Sequence, residues 1–292
     1  MFYTPLPGEY IASVIKRGNE TLGIKGISRD NYLIIKTATT SRRRDGEIIF
    51  PQLFKDHGVT EEVLYENTLY PLTAALGRIH AGTIYTPMTR WKICLDCVTT
   101  DLALHGTAYI HCRNLPSSVF VCSIHGSRLY EKCPTCSKSI TAHSIGELSK
   151  CGNNFPKPEK KLNIPIHQYS IFISELLSYE GEAFTPRAVE SVFARWRTTT
   201  SIVQHNQSSR REVWENHMSN LLETHLKRSH ILSVEACAAT AFFTFTKAKK
   251  YFSAIEEHVK SSKHRYWNNY LKLLRDNAEK SANPYKSGNF KL

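Results

Sequence analysis

Three pairs of metal-ligating side chains, each pair spaced two residues apart, lie between Cys94 and Cys136: Cys94-Leu95-Asp96-Cys97, Cys122-Ser123-Ile124-His125 and Cys133-Pro134-Thr135-Cys136. At this spacing one tight turn aims both ligands at a single ion, and two such turns complete a tetrahedral zinc site. The middle of the chain is therefore predicted to be built around zinc.

Cys94 and Cys97 need a second pair, and Cys122 with His125 is the best candidate, because the intervening 24 residues leave room for a strand hairpin. That gives a Cys3His site. Cys133 and Cys136 begin a second one. After them the chain offers only Cys151, the distant Cys237 and the imidazole of His143. The second position is then either a full site of Cys133, Cys136, Cys151 and His143 or a vestige of one. Cys112 and Cys237 sit on apolar stretches and read as buried free thiols. His105 and His111 read as surface or supporting residues rather than ligands.

Four protein ligands leave no open position for a catalytic water, which disfavours metal-assisted hydrolysis. The deaminase pattern with its glutamate is missing, as are a phosphate-cradling glycine loop, a nucleophile elbow and paired carboxylates in a recognisable frame. No catalytic residue is expected, and a zinc-dependent nuclease is the remaining enzymatic reading.

Charge narrows the partner. Lys and Arg outnumber Asp and Glu by 38 to 26 over 292 residues, a net charge of +12, which points to a polyanion and most commonly nucleic acid. The excess is uneven: +2 over residues 1–90 (11 basic, 9 acidic), +3 over 91–160 (8 and 5) and +7 over 161–292 (19 and 12). The opening MFYTPLPGEY lacks the features of a signal peptide. The longest apolar stretch, Val234 to Thr246, is too short to span a membrane and carries Glu235. A reducing, cytoplasmic setting without membrane contact is expected, where clustered cysteines hold metal rather than disulfides.

The fold class expected is mainly α with small zinc-ribbon modules, in three parts. Residues 1–89 read as a helical, helix-turn-helix-like part. Its helices run from Glu9 to Leu22, with Ile11, Val14, Ile15 and Leu22 on one face, then Arg29 to Lys36, Ile48 to Gly58, and Thr60 to Tyr70, interrupted by Pro71. Residues 90–156 form the zinc-finger region, with little helical periodicity and short strands at Ala108 to Cys112 and Val119 to Cys122. A stretch rich in proline and lysine, Asn153 to Lys161, marks the next boundary. Residues 162–292 read as a helical domain with segments Pro165 to Tyr179, Pro186 to Arg197, Ser209 to Lys227, Ser233 to Thr246 and Lys247 to Lys280. Thr185 and Ser208-Ser209 are natural helix starts.

The run Leu115-Pro116, then Val121 to Cys136 with its Cys122-x-x-His125-Gly126, Leu129 and Cys133-Pro134-x-Cys136, resembles the TniQ/TnsD family of DNA transposon proteins. Pro5-Leu6-Pro7-Gly8-Glu9-Tyr10 is similar to that family's opening, and Leu64 to Leu72 to the helix that precedes its zinc region, closest to the TnsD branch. The motifs cover about half of the chain. The resemblance implies a bacterial adaptor that selects where a transposon inserts. One surface engages attachment-site DNA or a guide-RNA-carrying Cascade-type CRISPR complex, and another recruits the AAA+ ATPase TnsC, which brings in the transposase. It implies an N-terminal helix-turn-helix unit, allows a homodimer, and places Cys94, Cys97, Cys122 and His125 as the first site, with Cys133 and Cys136 opening the second. Leu148 stands where the family often has the cysteine that would precede Cys151.

Candidate nucleic-acid contacts are Arg42, Arg43 and Arg44; Lys247, Lys249 and Lys250; and Lys263 and Arg265 beside Tyr266 and Trp267. Pro186 to Leu226 can be read as a helix-turn-helix with Arg210 and Arg211 at the start of its reading helix, or as plain helical packing with Trp196 and Trp214 in the core. A zinc-ribbon transcription regulator that binds its own operator is the alternative function.

Overall fold

The computed structural model describes residues 4–23, 60–77, 91–160, 162, 164–197, 220 and 233–262. These are mainly helical, with few strands. Residues 1–248 make one compact unit and residues 249–292 a second, of which 249–262 are described and helical.

Helix α1 runs Ile11–Thr21 and buries Ile11, Val14 and Ile15, as the spacing predicts, but Leu22 lies past its end and is exposed. Glu9 does more than favour the helix dipole. Its carboxylate is fully buried and accepts from the Leu6 amide (3.0 Å), the Ser13 hydroxyl (3.0 Å) and Arg17 Nη2 (2.8 Å). A buried carboxylate is tolerated because it is paired and hydrogen-bonded on every side.

The expected helix from Thr60 to Tyr70 is two helices. Thr60 caps α2, Glu61–Glu66, by accepting from the Val63 amide, and α3 spans Tyr70–Ala75. Pro71 therefore sits in the first turn of α3 rather than interrupting α2, since a first-turn residue needs no amide donor.

The cysteine-rich region differs most from expectation. Ile93–Cys94 is strand β1, and Leu95–His105 is an 11-residue helix, α4, in a region expected to show little helical periodicity. Leu95 and Val98 face the core, with Leu102 packed against it at helical spacing. Gly106 closes α4 in a left-handed conformation (φ 69°). Strand β2, Leu129–Tyr130, pairs antiparallel with β1 in the register Ile93 to Tyr130 and Cys94 to Leu129.

The strands expected at Ala108 to Cys112 and Val119 to Cys122 are reduced to isolated bridges, His111 with Glu9 and Val121 with Arg128. The first segment spends its ladder on the N-terminus, through Tyr10 N–H to Ile110 O (2.7 Å) and Cys112 N–H to Gly8 O (2.9 Å). Residues Cys112–Asn114 then turn as a short 3-10 helix. Helix α5, Ile145–Gly152, follows.

The apolar core joins the first two expected segments. Tyr10, Ile11, Ala12 and Ile15 pack with Trp91, Ile93, Leu95, Val98, Ile145 and Leu148, and the Tyr10 and Trp91 rings meet edge-on at 6.0 Å. Helix α6, Pro165–Leu177, lies against α3 and the 3-10 turn. Helix α7, Pro186–Arg197, has the expected bounds, with Thr185 Oγ1 accepting from the Ala188 amide at 3.2 Å. Helix α8, Ser233–Phe245, packs on α6 and α7, with Phe242 edge-on to Tyr169 (5.4 Å) and Phe172 (5.5 Å).

Candidate metal centres

Two knuckles in this region share one backbone geometry. In the first, the Cys122 amide donates to Ser127 O (2.8 Å) and the Gly126 amide to Cys122 O (2.9 Å). In the second, the Cys133 amide donates to Lys138 O and the Ser137 amide to Cys133 O, both at 2.8 Å. The fourth residue after the first cysteine is left-handed in each case, Gly126 at φ 64° and Ser137 at φ 60°. This conformation folds the turn back so that both ligands of a pair point the same way.

The remaining pairs are held by helices. Cys94 is the N-cap of α4 and Cys97 lies in its first turn, where the positive end of the helix dipole favours thiolate. The strand pair places Cys94 beside Leu129, just after the first knuckle. The Ser127 hydroxyl donates to Asp96 Oδ2 and ties that knuckle to the start of α4. Cys151 is in the last turn of α5, and His143 immediately precedes its N-cap Ser144.

The result is two clusters, Cys94, Cys97, Cys122 and His125, and Cys133, Cys136, His143 and Cys151, each with its four ligand atoms within 4.8 Å of one another. Both can hold a metal ion. In the first, His125 Nδ1 is 3.6 Å from Cys94 Sγ, 3.4 Å from Cys97 Sγ and 3.7 Å from Cys122 Sγ, and Cys97 Sγ is 3.6 Å from Cys122 Sγ. Ligands of a tetrahedral zinc ion stand roughly 3.5–3.8 Å apart, given bonds of about 2.3 Å to sulfur and 2.0–2.1 Å to nitrogen. The observed spacings match, and thiolate with imidazole is a donor set that suits zinc.

Electrostatics in the first cluster follow from three sulfurs in contact. Hydrogen bonding to Cys122 raises both Cys94 and Cys97, the latter to about 12, and hydrogen bonds from Cys94 and Cys97 hold Cys122 far below the usual thiol value. With three sulfurs in contact, a divalent cation is what allows all three to be thiolates at once. Arg113 Nη2 donates to Cys97 Sγ at 3.5 Å. Sequence spacing gave no sign of this contact.

In the second cluster the His143 tautomer is fixed. Its Nδ1–H donates to Ser144 O (2.8 Å), leaving Nε2 as the acceptor, 3.1 Å from Cys136 Sγ and 3.6 Å from Cys151 Sγ. A ligating imidazole is oriented in this way by a carbonyl on its far nitrogen. The backbone amide of Lys138 holds the Cys136 thiol down at about 7, whereas desolvation pushes Cys151 up to about 11. Leu148, where a cysteine might have stood, is buried in the core, and His143 occupies the fourth place.

Other candidate residues lie apart from both clusters. His111 Nε2 faces Asp101 Oδ2 at 2.8 Å, and burial lowers its pKa. His105 ends α4 and is exposed. Cys112 and Cys237 are buried thiols outside both clusters, and the Cys237 thiol donates to Leu76 O at 3.8 Å. Lys247, Lys249 and Lys250 are exposed. Arg42, Arg43, Arg44, Arg210, Arg211, Lys263 and Arg265 lie outside the described residues, as do Trp214 and the side chain of Trp196.

The Leu115-Pro116 turn is anchored from three sides. Buried Lys92 donates Nζ to Pro116 O (2.6 Å) and to Val119 O. The Ser117 amide and hydroxyl donate to Glu235 of α8, and the Ser118 hydroxyl pairs with Tyr169 OH of α6 at 2.8 Å. The turn therefore links the cysteine-rich region to helices α6 and α8. The chain matches no protein-family model, and a search of curated proteins finds no match.

Proposed function

We propose that this protein is a non-enzymatic target-selection adaptor of DNA transposition, with zinc in both clusters as structural ions. The observation that carries this reading is the pair of four-ligand clusters, Cys94, Cys97, Cys122 and His125, and Cys133, Cys136, His143 and Cys151. Six of these eight ligands, Cys94, Cys97, Cys122, His125, Cys133 and Cys136, belong to the motifs on which the TniQ/TnsD resemblance rests. Four side chains converging on one point leave no coordination position for substrate, so the clusters serve to fix a surface rather than to activate water. Zinc, when bound, supplies cross-links between β1, α4, the two knuckles and α5; the protein's own residues supply everything that a partner touches.

In this reading the basic chain engages target DNA, directly or through a guide-RNA complex, and another surface recruits the AAA+ ATPase TnsC. Exposed Lys247, Lys249 and Lys250 are available for phosphate contact. An N-terminal helix-turn-helix unit, a bacterial cytoplasmic setting and a homodimer belong to the same reading.

The test is reconstitution with a TnsC-type AAA+ ATPase and its transposase. The ATPase is expected to co-purify with the zinc-loaded protein, and a Cys94→Ser variant without zinc in the first cluster is expected to lose targeted insertion. Normal targeting by that variant overturns the proposal. Operator binding without any ATPase association supports a zinc-ribbon transcription regulator instead. A gel-shift with the protein alone separates the two modes: tight, sequence-specific binding means direct DNA reading, and weak nonspecific binding means docking on a guide-RNA complex.

A further inference from the structure

The two clusters present unequal faces to solvent. In the first, Cys94, Cys97 and Cys122 are at most 2% exposed, and Arg113 covers Cys97. In the second, Cys133 and His143 are buried, but Cys136 is exposed and Cys151 half-buried. Cys136 sits at the tip of a hairpin closed on itself by the Ile140 amide to Glu131 O (2.9 Å) and the bridge between Lys132 and Ser139. The Thr135 hydroxyl donates to Cys151 O at 3.2 Å, which keeps the tip beside the end of α5, and the two sulfurs lie within 4.8 Å.

Helix α5 does not depend on the cluster for its place. Glu20 of α1 accepts from the Ser144 hydroxyl (2.9 Å) and from the Ile145 (2.7 Å) and Gly146 (3.2 Å) amides, and Ile145 and Leu148 are in the core. The hairpin tip can therefore change its bonding while α5 and the first cluster stay in position.

We infer that the second cluster is a peroxide-responsive metal-release switch, with Cys136 as the sulfur oxidised first and Cys151 as its resolving partner. This rests on the reading that both clusters hold zinc. The Cys136 thiolate attacks one oxygen of hydrogen peroxide, the O–O bond breaks, and hydroxide leaves a sulfenic acid. The Cys151 thiolate then displaces the second hydroxide as the S–S bond forms. Two electrons pass from the two sulfurs to the peroxide, and the metal, left with two of its four ligands, dissociates. Cys133 and His143 remain buried, ready to rebuild the site when a dithiol returns the two electrons.

The experiment titrates the zinc-loaded full chain with hydrogen peroxide, follows released zinc with a metallochromic dye, and maps disulfides by mass spectrometry. One of two ions is expected to leave on the order of tenfold faster than the other, as exposure governs thiolate oxidation. A Cys136–Cys151 bridge should accompany that loss, and dithiothreitol with added zinc should reduce the bridge and restore the ion. Simultaneous loss of both ions, a bridge within the first cluster, or no release under peroxide that oxidises free cysteine overturns this inference while leaving both metal sites standing. A single ion at the outset overturns the second metal site itself, and this inference with it.

Discussion

Arg113 donates its Nη2 to Cys97 Sγ at 3.5 Å, placing a fixed positive charge against the first cluster. The interaction runs both ways: although burial works against the charged form, the Cys97 sulfur raises the Arg113 pKa. Replacing Arg113 with Met keeps much of the packing and removes the donor. Metal affinity of the first cluster is expected to fall about 10–100-fold, as for other residues that support a ligand without binding metal. Competition with a chromophoric chelator reads this directly, and the second cluster should be unchanged.

The two left-handed knuckle positions make opposite predictions. Gly126→Ala adds a Cβ at φ 64° and is expected to lower the stability of the zinc-loaded protein by about 1–2 kcal/mol. Ser137 already bears that strain at φ 60°, so Ser137→Gly is expected to be neutral or stabilising by about 0.5 kcal/mol. Denaturant unfolding of both variants checks the sign of each.

Gly77 holds the close approach between the end of α3 and the start of α7. It has φ 60°, and a Cβ there would stand 2.9 Å from the carbonyl carbon and oxygen of Thr185. Neither backbone atom can turn away, because the Phe184 amide donates to Ala74 O at 3.0 Å and Thr185 caps α7. Gly77→Ala is expected to cost about 2–4 kcal/mol, the sum of left-handed strain and overpacking. Thermal unfolding measures it.

Glu235 gives a pH signature. Burial raises its pKa above 4.5, against the hydrogen bonds from Ser117 and the nearby charge of Lys92. The folded protein then binds more protons than the unfolded one, so this group's contribution to stability is full below 4.5 and is lost as pH rises through the folded value. Glu235→Gln does not titrate. Unfolding free energies of the two proteins should therefore diverge in favour of the variant as pH rises from 4.5, and a pH-independent difference would contradict the assignment.

The sequence readings that hold are those carried by local signals. Thr185-Pro186 supplies a cap and a first-turn proline, and α7 begins where they place it. The knuckles are equally local, and the structure gathers the expected residues into two clusters. Helix α4 was hidden because its first turn doubles as the Cys94 to Cys97 pair, which masks the Leu95, Val98 and Leu102 spacing. The anchoring of the Leu115-Pro116 turn was invisible for a different reason. Lys92 reaches it across 24 positions and Glu235 reaches Ser117 across 118, and no pattern within a sequence window can reveal such partners. His143 was nameable as a ligand by its availability, but its orientation depends on the Ser144 carbonyl, and the position of the helix behind it depends on Glu20, 124 residues from Ser144.

The most direct test of the account is the metal content of the purified full chain beside its Cys94→Ser and Cys151→Ser variants, measured by elemental analysis. The account predicts two zinc ions per chain, with one lost in each single variant and both lost when the substitutions are combined. Zinc-free wild-type protein, or a full complement retained in either variant, would contradict it.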